Sequence, residues 1–129
     1  MSWIKPILKH LQWTKWKWLP IQPKHIWIGN NTDIGATTVL LGHQGIVIED
    51  NVQIGPGCVI MSISTIDGKQ GTVTLKRNCK IGANSVVMPG VTVGENSVVG
   101  AMSFVSTNIP DNEVWYGTPA QFRRYVECH

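Results

Sequence analysis

Histidine is the side chain best suited to moving protons near neutral pH, and this chain has four, at positions 10, 25, 43 and 129. Only His43 lies within a regular stretch, "VLLGHQGIVIED". A neutral imidazole there can take the proton from a hydroxyl or an amine as it attacks an electrophile. The competing reading is a corner histidine that bonds a neighbouring carbonyl. Downstream, in "SISTIDG", Thr65 and Asp67 can contact an acceptor, and Asp67 can orient His43, although Asp-Gly also makes a turn unaided. The three cysteines are an odd number without CxxC spacing, so neither a disulfide framework nor a metal site is expected. Cys58 and Cys79 read as core, and Cys128 as an incidental thiol near the end.

The elements that position His43 follow from a count in sixes. Units begin at Ile28, Ile34, Leu40, Ile48, Ile54 and Ile60, then at Leu75, Ile81, Val87, Val93, Val99 and Val105. Each start is aliphatic, and the next residue is glycine at 29, 35, 55, 82, 94 and 100. The fifth position is small or β-branched nearly throughout: Thr32, Thr38, Val52, Cys58, Ser64, Cys79, Ser85, Val91, Ser97 and Ser103. Short strands that turn every six residues point both positions into a narrow interior. Three units close one triangular coil, and stacked coils satisfy one another's backbone groups in parallel. Twelve units give four coils, 28–45, 48–65, 75–92 and 93–110. The residues left over are Ile46–Val47, beside His43, and the segment 66–74. Both interruptions fall after the third unit of a coil, on one edge of the prism. The expected organisation is an N-terminal extension, 1–27, an all-β solenoid, 28–110, with an inserted loop at 66–74, and a tail, 111–129.

Hydrophobic residues make up 43% of the 129, charged residues 15%, and the net charge is +3. That balance suits an anionic small ligand and is too mild to point to nucleic acid. A domain this small buries a modest core, which favours an oligomer. No apolar run is long enough for a transmembrane helix, and Lys, Pro and Gln interrupt the N-terminus too often for a signal peptide. The expected location is the cytoplasm. The segment "MSWIKPILKHLQWTKWKWLP" carries Trp3, Trp13, Trp16 and Trp18 among lysines. Such a mixture can lie on an anionic membrane surface. A cap over the first coil is the favoured reading, because a bare solenoid end exposes its core.

The stretches "IGNNTDIGATT", "IEDNVQIGPGCVI", "IGANSVVMPGVTVGENSVVGAMSFV" and "IPDNEVWYGTPA" resemble the hexapeptide-repeat acyltransferases over roughly residues 26–124. The resemblance implies a left-handed parallel β-helix of about four coils, a homotrimer, and acetyl-CoA as co-substrate in a groove between subunits. It is closest to bacterial sugar O- and N-acetyltransferases, so the acceptor it implies is a sugar or nucleotide-linked sugar. The galactoside acetyltransferase pattern maps the cofactor contacts onto Ala83, Ala101, Ser106, Thr107 and Arg124. It departs in having Thr107 and Gln121 where that pattern has lysine and arginine, which leaves Arg123, Arg124 and Lys80 as cations for the CoA phosphates. Galactoside-type enzymes carry their catalytic histidine where Thr65 stands. Serine and amino-sugar acetyltransferases carry theirs one coil earlier, in a motif similar to "GHQGIVIED", which makes His43 the catalytic match. Three other functions compete. Serine O-acetylation normally comes with a large helical N-terminal domain that is missing from this sequence. A γ-carbonic-anhydrase-like zinc enzyme needs several corner histidines, and only His43 lies in the coils. A non-catalytic solenoid scaffold is the reading left if His43 is inert.

Overall fold

The computed structural model describes residues 3–127. Apart from one 3-10 turn at Pro23–His25, its regular elements are strands. Most are two or three residues long and stack in parallel into three sheets. The first sheet holds Leu19–Ile21, Val39–Leu41, Val59–Met61, Val86–Val87 and Phe104–Val105. The second holds Ile26–Ile28, Ile46–Ile48, Val73–Leu75 and Thr92–Val93. The third holds Asp33–Ile34, Gln53–Ile54, Lys80–Ile81, Val98–Val99 and Glu113–Gly117, with Ala120–Tyr125 added antiparallel at its end. The chain visits first, second and third sheet in turn, so each circuit is one coil of a parallel β-solenoid.

The register follows the unit starts. Ile28, Ile48, Leu75 and Val93 pair in one column, Ile34, Ile54, Ile81 and Val99 in the next, and Leu40, Ile60, Val87 and Val105 in the third. All twelve are buried. Small fifth residues are buried beside them, and their hydroxyls bond carbonyls of the corners: Thr38 donates to Gly55 at 2.9 Å and Ser103 to Gly100 at 2.7 Å. Ser64 is the departure. It sits half-exposed in a two-stranded arm, and Val73, in register with Ile46, fills the buried place.

Cys58 and Cys79 are buried, as expected for core residues. Burial pushes the Cys79 thiol up to about 12 and raises that of Cys58 as well. A thiol harder to ionise when folded than when unfolded contributes stability that is complete below its unfolded value of 9.0 and is lost as pH rises toward 12. Two results follow for measurement. Neither thiol should react with a thiolate-directed reagent at pH 8 unless denaturant is present, and unfolding should become easier as pH rises above 9.0, less steeply in Cys79→Ala. Cys128 and His129 lie outside the described residues.

Two corners are regular. Between second and third sheets the turn residue is Asn31, Asn51, Asn78, Asn96 or Asn112, each left-handed with φ between 58° and 63°. Asparagine tolerates that region better than other residues with a Cβ. Side-chain amides continue the stack, Asn78 donating to Asn96 at 3.2 Å and Asn96 to Asn112 at 3.1 Å. Between third and first sheets, Gly82 lies directly under Ala101, and a Cβ on Gly82 would strike the Ala101 backbone nitrogen. This glycine therefore serves close stacking of coils.

The ladder begins before Ile28. Leu19–Ile21 pairs with Val39–Leu41, and Ile26–Ile28 with Ile46–Ile48, so part of the N-terminal extension is already solenoid. Residues 3–18 lie over this end. Trp18 is 2% exposed, and Leu8 packs against the core. Backbone bonds fasten the segment: Leu11 donates to Pro20 at 3.0 Å and Thr14 to Trp18 at 2.9 Å. At the other end Trp115, half-buried against the core, closes the last coil.

Candidate active site at the irregular corner

The third corner, between first and second sheets, is the irregular one. In the regular coil only Pro89 and Gly90 separate Met88 from Val91, both buried. Two coils take four residues there, Gln22-Pro23-Lys24-His25 and Gly42-His43-Gln44-Gly45, and the next takes eleven, 62–72. Ile46 and Val47 are not the added residues, although counting in sixes leaves them over. They pair in register with Ile26–Trp27 and Val73–Thr74, and Ile46 is fully buried. An insertion can sit only where the backbone leaves the ladder, so the two added residues are in the turn, at His43 and Gln44. By the same reasoning Val73 and Thr74 belong to a strand, and the longer insertion lies within 62–72.

The turn closes with the Gly45 N–H donating to the Gly42 carbonyl at 3.0 Å, and Gly45 takes φ 100°. The arm above it pins it. Ser62 Oγ accepts from the Gln44 N–H at 2.8 Å, Gln44 Nε2 donates to Gln70 Oε1 at 2.9 Å, and Thr72 Oγ1 donates to the Gln44 carbonyl at 2.8 Å. These bonds hold the Gln44 side chain and both of its backbone groups, which leaves His43 exposed at the tip, without a hydrogen-bond partner among the described residues.

Thr65 and Asp67 lie in the arm, whose strands Ile63–Ser64 and Lys69–Gln70 pair antiparallel. Asp67 caps its own turn. Its carboxylate accepts from the Lys69 N–H at 3.3 Å and sits 4.0 Å from Lys69 Nζ. A hydrogen bond from Ser64, then that from the Lys69 backbone, hold its carboxyl below the ordinary range. Asp67 is thus ionised at neutral pH and turned toward Lys69.

The expected cofactor contacts fall on two edges of the first sheet. Ala83 and Ala101 stack at its corner with the third sheet, where the Met102 N–H donates to the Ala83 carbonyl at 2.8 Å. Ser106 and Thr107, exposed, lie at its corner with the second sheet, on the same edge as His43 and three rungs away, about 14 Å at normal strand spacing. Arg124 is exposed on the closing strand, with its Nη1 3.5 Å from the Tyr125 carbonyl. Its neighbour Arg123 stacks over the Tyr116 ring at 4.6 Å, a contact that residue spacing did not reveal. No group of three or more metal-ligating side chains occurs among the described residues.

A parallel solenoid of six-residue units defines a class, and comparison with known proteins agrees with it. Residues 72–107 match the bacterial transferase hexapeptide family, and residues 25–62 match the hexapeptide repeat of succinyl-transferase. The chain is 32% identical over 112 residues to a galactoside O-acetyltransferase of Lactococcus lactis, covering 80% of this chain and 54% of that one. A hexapeptide-repeat-containing acetyltransferase from Vibrio cholerae superposes with a TM-score of 0.79 at 31% identity, over 86% of this chain and 68% of that one. It has also been solved in complex with acetyl-CoA. An N-acyltransferase from Bacillus cereus, solved with dTDP and 3-hydroxybutyryl-CoA, superposes with a TM-score of 0.69 at 25% identity, over 88% and 79% of the two chains. The chain belongs to the hexapeptide-repeat acyltransferase family. It spans about half the length of the galactoside O-acetyltransferase it matches.

Proposed function

We propose that the protein transfers an acetyl group from acetyl-CoA to a hydroxyl or amino group of a sugar, most simply a nucleotide-linked one, with His43 as general base. The observation that carries this reading is the irregular corner. The two residues added to the coil are His43 and Gln44, and three hydrogen bonds from the arm fix Gln44 while leaving the imidazole free to meet an acceptor. The acceptor oxygen or nitrogen attacks the thioester carbonyl, His43 takes its proton, and CoA leaves as the thiol. Backbone N–H groups of the groove stabilise the oxyanion. The relatives support the donor and the acceptor class, since one is solved with acetyl-CoA and another with dTDP and an acyl-CoA.

The working form is a homotrimer. The outward positions of the first sheet are apolar and half-buried in the single chain: Val39, Leu41, Val59, Met61, Val86 and Phe104. Outward positions of the third sheet include Asp33, Gln53 and Lys80, all exposed. Packing through the first sheet puts Ala83 and Ala101 of one chain beside the groove that Ser106 and Thr107 of the next chain enter, with Arg124 near the CoA phosphates. Thr65 and Asp67 border the acceptor from the arm. The test is thiol release from acetyl-CoA against amino sugars, nucleotide sugars, galactosides and serine. Turnover with a sugar supports the proposal. Turnover with serine alone, or with none of the panel, defeats it.

A further inference from the structure

The N-terminal cap has an outer face that the solenoid does not use. Its inward residues, Trp18, Leu8 and Thr14, already close the end of the core. Its outward residues are large and apolar: Ile4 is 54% exposed, Ile7 77%, Leu11 58% and Trp13 56%. Trp16 is 38% exposed. Ile4, Ile7, Trp13 and Trp16 line a shallow groove of about 290 Å³, and Lys5, Lys9 and Lys15 line the same groove between them. Lys15 Nζ lies 5.8 Å from the Trp16 ring. The backbone beneath is tied to the first coil, and the Trp3 indole N–H donates to the Thr32 carbonyl at 2.9 Å. The apolar side chains are therefore held out on a fastened base. A contiguous apolar patch of this kind marks a binding surface.

Charge says what covers it. Five of the chain's eleven cationic residues fall in the first 32 positions, and none of its eight acids does, so the remainder carries six cations against eight acids. Two copies meeting by this face would set lysines against lysines. All five cations are lysine, a point charge on a flexible stem, and the arginines stand elsewhere, at 77, 123 and 124. Arginine is the residue for fixed, bidentate pairing with a carboxylate, and lysine suits a diffuse negative field. Tryptophan among lysines favours the boundary between lipid headgroups and acyl chains. We infer that the outer face of the cap docks on a bilayer rich in anionic lipid, with Ile7, Leu11 and Trp13 entering the headgroup boundary and the lysines resting on the phosphates.

The experiment is vesicle co-sedimentation of the full chain with phosphatidylcholine alone and with phosphatidylcholine containing phosphatidylglycerol. Binding to the anionic vesicles, a blue shift of tryptophan emission on binding, and weakening by salt are expected. Replacing Lys5, Lys9 and Lys15 together by Gln should weaken partitioning on the order of 10²-fold. Ile7→Ser with Trp13→Ser should weaken it at least tenfold. All five side chains are exposed, so the melting temperature of both variants should match that of the unaltered chain. Equal binding to neutral and anionic vesicles, or no binding to either at millimolar lipid, overturns the inference. So does full binding by the Ile7/Trp13 variant, or equal affinity for polyglutamate or duplex DNA at the same salt, because attraction would then be by charge alone. None of these readouts depends on acyl transfer, so the docking surface and the proposed activity stand or fall separately.

Discussion

Replacing His43 by alanine is expected to lower kcat by about 10²–10⁴-fold, the range for losing a general base. KM for acetyl-CoA should change little, because the residues proposed to hold the cofactor lie on other coils. The melting temperature should be unchanged, since the imidazole is exposed and bonds to no described residue. His25→Ala is the control, an exposed histidine one coil away on the same edge that is given no role. Near-normal turnover by the His43 variant would remove the base from the mechanism. The acceptor would then have to be an amine that arrives unprotonated, with His43 a corner residue only.

The largest effect on stability is expected from Trp18→Ala. Trp18 is among the largest fully enclosed side chains and plugs the N-terminal end of the core at 2% exposure. Truncating a buried tryptophan costs about 3–5 kcal/mol, a large part of the roughly 5–15 kcal/mol that holds a domain together. Trp13→Ala, at an exposed position, should stay within about 0.5 kcal/mol. Denaturant midpoints compare the two. If they shift alike, Trp18 does not plug the core. Because each coil touches only its neighbours, the damage should spread from the first rung. Amide exchange would show it at Leu19–Ile28 before it reached the coils around Val87.

Much of the solenoid can be read from the sequence because one residue in six must be aliphatic, and the ladder keeps every unit start from Ile28 to Val105 in register. Reading failed where side-chain type and position part company. Pro20 pairs with Leu40 yet is not aliphatic in pattern, so the first rung is hidden in the extension. Ile46 looks surplus because a valine or isoleucine can serve the fifth position as well as the first. Only pairing with Ile26 and Val73 shows that the surplus is His43 and Gln44. The site was legible as far as its corner. That Ser106 and Thr107 share an edge with His43, while Ala83 and Ala101 stand on another, depends on which turn closes which pair of sheets. The orientation of Asp67 depends on Ser64 and Lys69 together holding its carboxylate, contacts that no spacing encodes.

The closing hairpin has a consequence for behaviour at high concentration. A stack of parallel rungs is a template for one more parallel rung, and such an edge invites another chain to join end to end. Here the final strand of the third sheet, Ala120–Tyr125, runs back antiparallel to Glu113–Gly117. A coil arriving from another molecule would meet a strand of the wrong direction, bearing Arg123 and Arg124. The opposite end is overlaid by a segment rich in lysine and free of acids. Head-to-tail growth into fibres is thus opposed on the third sheet by strand polarity and at the other end by a charged cover.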